Sequence, residues 1–208
     1  MSSENEGSPA ERRGVGPWEG PLPEGEQWDP LLLVEGDYRN VEDQFRYWTR
    51  DAIREEIARR SLGYEVAIEN LGHDFNIGSI VRTANALGAS KIHIVGRRRW
   101  NRRGAMVTDR YLNVVHHYDV ESFLADVMPR LHVIGVDNIP GSLALDETEL
   151  PRDAVLVFGE ESAGLSEEMV GACEQIVHIT QYGSTRSMNV GHAAAIAMWA
   201  WVAKWANP

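Results

Sequence analysis

From residue 64 onward the chain repeats one pattern: short runs rich in β-branched residues, separated by stretches with helical spacing. The runs are YEVAIEN (64–70), KIHIVG (91–96), NVVHHY (113–118), HVIGVD (132–137), AVLVFG (154–159) and QIVHIT (175–180). Most are apolar at consecutive positions, as expected of strands buried on both faces. Between them, Ile77–Leu87 reads as a helix with Gly88 at its end, Val120–Met128 as a second, and Ser166 can cap a third through Cys173. Parallel strands need long crossovers and helices supply them, so this order predicts an α/β fold: a mostly parallel sheet with helices on both faces.

The flanks read differently. Residues 1–30 are rich in Gly, Pro and Glu and lack apolar periodicity, the composition of a mobile, disordered tail. Asn40 can cap an amphipathic helix running to about residue 60, with Val41, Phe45, Trp48, Ala52 and Ile57 near one face. The final segment, Asn189–Ala206, is apolar nearly all round, so it is either core or covered by a second copy. The expected division is therefore a tail over 1–30, a helical extension over 31–63 and a main domain over 64–208. A homodimer is expected, with Trp199, Trp201 or Trp205 in its interface; an intrachain core is the alternative.

Charge is uneven along a chain of net charge -11. The first 30 residues carry Glu4, Glu6, Glu11, Glu19, Glu24, Glu26 and Asp29 against Arg12 and Arg13. The rest is only mildly acidic and contains VGRRRWNRRGAM, with Arg97, Arg98, Arg99, Arg102 and Arg103 clustered around Trp100. Clustered guanidiniums grip phosphates and an indole stacks on an unpaired base, so this loop is a candidate RNA contact. A solvated loop paired with the acidic tail is the plainer reading. Cys173 is the sole cysteine, which leaves no intrachain disulfide, and no Cys/His spacing fits zinc. The longest apolar run, Ala193–Ala203, is too short to cross a bilayer, and a cytoplasmic location without membrane contact is the expectation.

Three junctions between strand and loop carry unusual polar chemistry, and in open α/β sheets ligands bind at such carboxyl ends. ENLGHDFNIGSIVRTANALG places Asn76 and Arg82 on an otherwise apolar helix. VLVFGEESAGLS offers close backbone approach at Gly159 and Gly164 and a carboxylate at Glu161. It is no nucleophile elbow, because Glu160 stands two before Ser162 where glycine is required. HITQYGSTRSMNVGHAAAIAMW runs a polar loop, including Gly183, Ser187 and Asn189, into the apolar final helix. Neither a dinucleotide fingerprint nor a P-loop is present.

Together, NIGSIVRTANALG, LVFGEESAGLS and GSTRSMNVGHAAAIAM resemble the three signature motifs of the SpoU/TrmH family, in the SPOUT class of RNA ribose 2′-O-methyltransferases, over about residues 64–206. The resemblance implies a C-terminal third threaded into a trefoil knot. It implies S-adenosylmethionine as cofactor, held at the positions matching Gly159, Ile179 and Met188, with Gly135 and Gly183 beside them. The position matching Arg82 takes the catalytic role and that matching Asn76 orients it. Those matching Glu161, Ser187 and Asn189 shape the site and its substrate contacts. Because a guanidinium keeps its proton, Arg82 suits phosphate binding and charge stabilisation better than proton abstraction. The implied partner is RNA, with transfer RNA favoured over ribosomal RNA by the compactness of the chain. The competing reading is a knotted RNA-binding or assembly factor without catalysis.

Overall fold

The computed structural model describes residues 14–69, 75–97, 100, 108–160 and 163–206. The chain divides into two compact units, residues 1–56 and 57–208.

Among the described residues, the second unit is built on seven parallel strands: β1 (Glu65–Glu69), β2 (Lys91–Val95), β3 (Val114–His117), β4 (His132–Val136), β5 (Leu143–Ala144), β6 (Ala154–Phe158) and β7 (Gln175–His178). Their order across the sheet is β3-β2-β1-β6-β4-β7-β5. Six of them are the runs expected from the sequence. The two-residue β5 was not anticipated: it is too short for a pattern, and Leu143 is half exposed. β1 and β6 lie at the centre and are buried at every position. Alternate residues serve the two faces, as strand geometry dictates. Val66, Ile68, Ile92, Ile94, Leu156 and Phe158 join one core, and Ala67, Val95, Val133, Val155 and Val157 the other.

Helix α3 (Phe75–Ala86) and helix α6 (Val190–Trp205) cover the first face, through Ile77, Ile80, Val81 and Ala84 from one and Ala194, Ala197, Met198 and Trp201 from the other. Helix α4 (Val120–Val127) and helix α5 (Glu167–Ala172) cover the second, with Phe123, Val127 and Met169 at the contact. Their starts are set chemically. Asp119 and Ser122 form a reciprocal capping box on α4, and the Ser166 hydroxyl accepts the Met169 N–H on α5. Ser166 is in turn held by Glu69, whose carboxylate takes its N–H at 2.8 Å and its hydroxyl at 2.7 Å.

The apolar helix α6 is mostly intrachain core. Trp201 is fully buried, its ring 4.4 Å from that of Tyr64 and its indole N–H donated to the Pro151 carbonyl at 2.9 Å. Trp205 donates to the Leu150 carbonyl at 3.2 Å. Of the three tryptophans expected at an interface, Trp199 remains exposed, beside an exposed Ile196.

The first unit corrects two expectations. Residues 14–29, read as tail, are tied down: Val15 bridges Asp37, and Trp18, Trp28, Tyr47 and Trp48 pack ring against ring at centroid distances of 5.4–6.3 Å. Composition missed this because a few aromatics can bury much area inside a Gly/Pro-rich stretch. Asp29 caps helix α1 (Pro30–Glu35), with Pro30 at its first position. The helix expected from Asn40 is interrupted, and helix α2 runs only over Arg50–Arg60. The break is Tyr47, in the left-handed region at φ 61°, whose N–H is taken by the buried Asp37 carboxylate at 2.9 Å. Thr49 restarts the helix by accepting the Ala52 N–H.

Candidate active site

The carboxyl ends of β4, β6 and β7 open together on a cleft of about 280 Å³. One wall is the segment Val136–Ile139 after β4. A second is the loop after β6, at Gly159, Glu160, Ala163 and Gly164. The third follows β7, from His178 and Ile179 through Gln181, Ser187 and Met188 to Val190 and Ala193 of α6.

The β6 loop is closed on itself: Glu160 N–H donates to the Gly164 carbonyl at 3.0 Å, and Gly164 N–H returns to the Glu160 carbonyl at 2.8 Å. So tight a closure leaves no room beside Gly159, where a Cβ would overlap the backbone of Gly164 and Leu165. Gly164 itself sits at φ +70°, with the Asp137 carboxylate where a side chain would go. Asp137 thereby links two walls. Its Oδ2 accepts the Leu165 N–H at 2.8 Å, its Oδ1 accepts the Asn138 N–H at 2.7 Å, and its own N–H donates to the Val177 carbonyl at 3.0 Å. Nothing in the local sequence pattern marks Asp137 as the tie.

The third wall is pinned by amides. Asn138 Nδ2 donates to the Arg186 carbonyl at 3.0 Å, and Gln181 Nε2 reaches the same oxygen at 3.4 Å. The Ser142 hydroxyl donates to the Ile139 carbonyl at 2.7 Å, so it must accept from Nδ1–H of His178, 3.0 Å away. His178 therefore presents Nε2 as its remaining ring nitrogen. At the start of α6, Asn189 is the cap. Its Oδ1 accepts the N–H groups of Gly191 and His192, and its Nδ2 donates to Asn76 Oδ1 at 3.0 Å. Gly191 is buried where α6 meets α3; a Cβ there would lie 3.1 Å from Asn189 Oδ1 and 3.5 Å from Ser79 Oγ.

The structure thus brings together Gly159, Ile179, Ser187 and Met188 around the cleft, and joins Asn76 to Asn189 at its α6 edge, where Val190 lines it. Other candidates fall elsewhere. Gly135 does not line the cleft: its missing side chain makes room for Leu165, Cys173 and Ile176. Gly183 is exposed in the loop beyond the lining. Arg82 is exposed on α3, six residues past Asn76 and about 9 Å further along the helix axis, and is not among the lining residues. Arg97 is exposed and stacks over Tyr118 at 4.9 Å. Trp100 packs partly buried against the α3/α6 core, so its indole face is not simply presented to solvent. Glu161, Arg98, Arg99, Arg102 and Arg103 lie outside the described residues.

Residues 63–199 match the SpoU rRNA Methylase family. Among curated relatives, a tRNA (guanosine(18)-2′-O)-methyltransferase of Escherichia coli K12 is 24% identical over 71% of this chain and 66% of its own length. An uncharacterized tRNA/rRNA methyltransferase of Mycobacterium avium is 32% identical over 64% of this chain and 45% of its own. The chain thus spans about two thirds or less of these relatives. Among solved structures, the A. aeolicus TrmH/SpoU tRNA modifying enzyme superposes with a TM-score of 0.64 at 22% identity, over 73% of this chain and 80% of that one. The Streptomyces viridochromogenes SpoU methyltransferase AviRb in complex with AdoMet gives 0.65 at 24% identity, over 74% and 65%.

Proposed function

Because this chain belongs to the SpoU rRNA Methylase family, we propose that it is an S-adenosylmethionine-dependent RNA methyltransferase acting on a ribose 2′-hydroxyl. The observation that carries the reading is the cleft at the ends of β4, β6 and β7. It combines a backbone wall that admits no side chain, at Gly159, with apolar walls at Ile179 and Met188 and polar groups at Asn138, Glu160 and Gln181. That mixture suits a cofactor with a flat heteroaromatic base and a polar, charged tail. When bound, S-adenosylmethionine supplies a methyl group activated on a sulfonium sulfur.

The chain's own residues bind and align. Ile179 and Met188 would hold the base of the cofactor by apolar contact, and backbone groups around Gly159 and Asp137–Ile139 would offer it hydrogen bonds. Ser187, an exposed residue of the lining, would hydrogen-bond the target ribose. Asn76 and Asn189 fix each other, and hence the angle at which α6 leaves the site. Arg82, exposed and charged, binds the phosphate next to the target ribose, which orients the 2′-oxygen; Glu161 is assigned to substrate contacts by its motif position. The arginines at 97–99 and 102–103 extend the phosphate grip.

Transfer RNA is the substrate class proposed first, since the Escherichia coli relative is named for it. A homodimer is part of the reading, supported by the exposed Ile196 and Trp199, which share the outer face of apolar helix α6 with the exposed His192 and Ala203. A threaded C-terminal third is supported by the strand order, in which β7 lies between β4 and β5, both formed earlier in the chain.

The experiment is transfer of labelled methyl to separated transfer and ribosomal RNA from cells lacking the protein, with Arg82→Ala alongside. Label in one fraction, resistant to alkaline hydrolysis at the modified site and lost in the variant, is expected. Cofactor binding by a folded protein with no label in either fraction would replace this reading with that of an RNA-binding assembly factor.

A further inference from the structure

On the α4 face, at the β3 edge of the sheet, lies a cluster of ionisable groups that the proposed reaction does not use. His93, in the middle of β2, is fully buried, and His117, at the end of β3, nearly so. Their rings stack at 5.0 Å, and Phe123 of α4 sits edge-on to both. His93 Nδ1 and His117 Nε2 are 2.8 Å apart, and each is 3.8 Å from Asp126 Oδ2 of α4.

These distances have a geometric consequence. The equidistant point in the plane of the three atoms lies about 2.0 Å from each, the length of a Zn–N or Zn–O bond. The far side of His93 is also prepared: its Nε2 lies 2.6 Å from Glu65 Oε2, and Arg130 Nη1 holds the other oxygen of that carboxylate at 2.9 Å. Glu65 must accept, so Nε2 carries the proton and Nδ1 presents its lone pair toward His117 and Asp126. A carboxylate fixing the tautomer of a histidine is the outer support typical of histidine ligands to metal. Two imidazoles and one carboxylate form a donor set suited to zinc and its neighbours, not to calcium or magnesium.

We propose that His93 Nδ1, His117 Nε2 and Asp126 Oδ2 bind a divalent transition-metal ion of the zinc type, with Glu65 orienting His93. Binding removes the N–H···N bond between the rings: His117 gives up its proton from Nε2 and carries it on Nδ1 instead, so the exchange balances. Asp126 is partly exposed and leaves a side on which water completes the coordination. Two cations face the site. Lys91 Nζ is 3.5 Å from Asp126 Oδ2 and 3.9 Å from Glu65 Oε1, and Arg130 Nη2 is 3.3 Å from Asp126 Oδ1. On binding, Lys91 moves toward Glu65 while Arg130 keeps Oδ1. The ion ties β2, β3 and α4 together on the far side of β1 from the β6-β4-β7 cleft, so its role is structural.

The test uses the full chain, stripped with a chelator, dialysed and titrated with Co²⁺ and then Zn²⁺. One equivalent of Co²⁺ is expected to give the visible bands of a four-coordinate ion, displaced by Zn²⁺. Zn²⁺ at a hundredfold excess over Kd should raise Tm by about 5–10 °C. His117→Gln and Asp126→Asn should each weaken Co²⁺ binding at least tenfold and cut the rise in Tm to about half or less. His132→Gln, which alters a surface histidine paired with Glu174, should change neither. Absence of bands and of a shift in the stripped wild-type protein overturns the proposal, as do bands that survive both substitutions. If His117→Gln does not fold, Asp126→Asn at the helix surface decides alone.

Discussion

Gly159→Ala isolates one structural demand of the cleft. The added methyl has no rotamer to choose, and it would meet backbone atoms of Gly164 and Leu165 instead of a yielding side chain. Relief requires the 160–164 loop to move away. That breaks the reciprocal pair of backbone hydrogen bonds between Glu160 and Gly164 and strains the Asp137–Leu165 bond. At about 1 kcal/mol net for each hydrogen bond, the loss is about 2–3 kcal/mol, similar to the cost of overpacking a core. For a chain of this size that lowers Tm by about 5–10 °C. Cofactor affinity should fall at least tenfold, because the displaced loop is a wall of the cleft. Gly171→Ala is the control: it lies on helix α5 with open space around it. There the same methyl should stabilise by about 0.5–1 kcal/mol. Thermal unfolding and calorimetric titration with S-adenosylmethionine read both effects. Wild-type stability and affinity in Gly159→Ala would refute the reasoning.

Asn189→Ala should cost about 1–2 kcal/mol through loss of the α6 cap, and a double-mutant cycle with Asn76→Ala, measured by denaturant unfolding, should return a coupling of about 0.5–1.5 kcal/mol; additive effects would disconnect the pair. Burial alone would raise the pKa of Asp37, but hydrogen bonds from Arg39 and from the Tyr47 N–H outweigh it and hold the carboxyl below its usual 3.8. A depressed folded pKa contributes stability that is present above pH 3.8 and lost as pH falls through the folded value. Asp37→Asn should therefore flatten the acid limb of the stability profile, and an unchanged slope would contradict the assignment. Burial first, and the Glu69 carboxylate second, push the Cys173 thiol up to about 12. Cys173 should therefore resist iodoacetamide at pH 8 while folded and react at once when unfolded, as mass spectrometry will record.

The parts of this fold that the sequence made legible are those fixed by burial over several residues. Strands β1 and β6 are apolar or paired at every position, and helices α3 and α6 carry their apolar spacing through several turns, so each announces itself locally. What stayed hidden depends on partners distant in sequence. Tyr47 interrupts a helical pattern because Asp37, ten residues earlier, takes its N–H. Trp18 and Trp28 order a Gly/Pro-rich stretch only because Tyr47 and Trp48 complete their cluster. Motif resemblance located four residues that converge on the cleft, Gly159, Ile179, Ser187 and Met188. It could not tell that Gly135 faces Cys173 and Ile176, nor that Asp137 ties two loops across 28 residues. Arg82 illustrates the opposite limit: its motif singles it out, while its place on α3 gives it no part in the lining.

The position of β7 has a temporal consequence. Every wall of the cleft comes from residues 136–193, and the strand that completes it is inserted between two that precede it in the chain. A nascent polypeptide emerging from the ribosome can pair β1, β2 and β3 early, since those contacts are nearly local. The gap between β4 and β5 has to wait for β7, at Gln175–His178. Pairings that close over such sequence distances are slow. Cofactor-binding ability should therefore be acquired only when β7 is inserted, and all at once, making it a sensitive reporter of that insertion and of any chaperone that shelters the open edge.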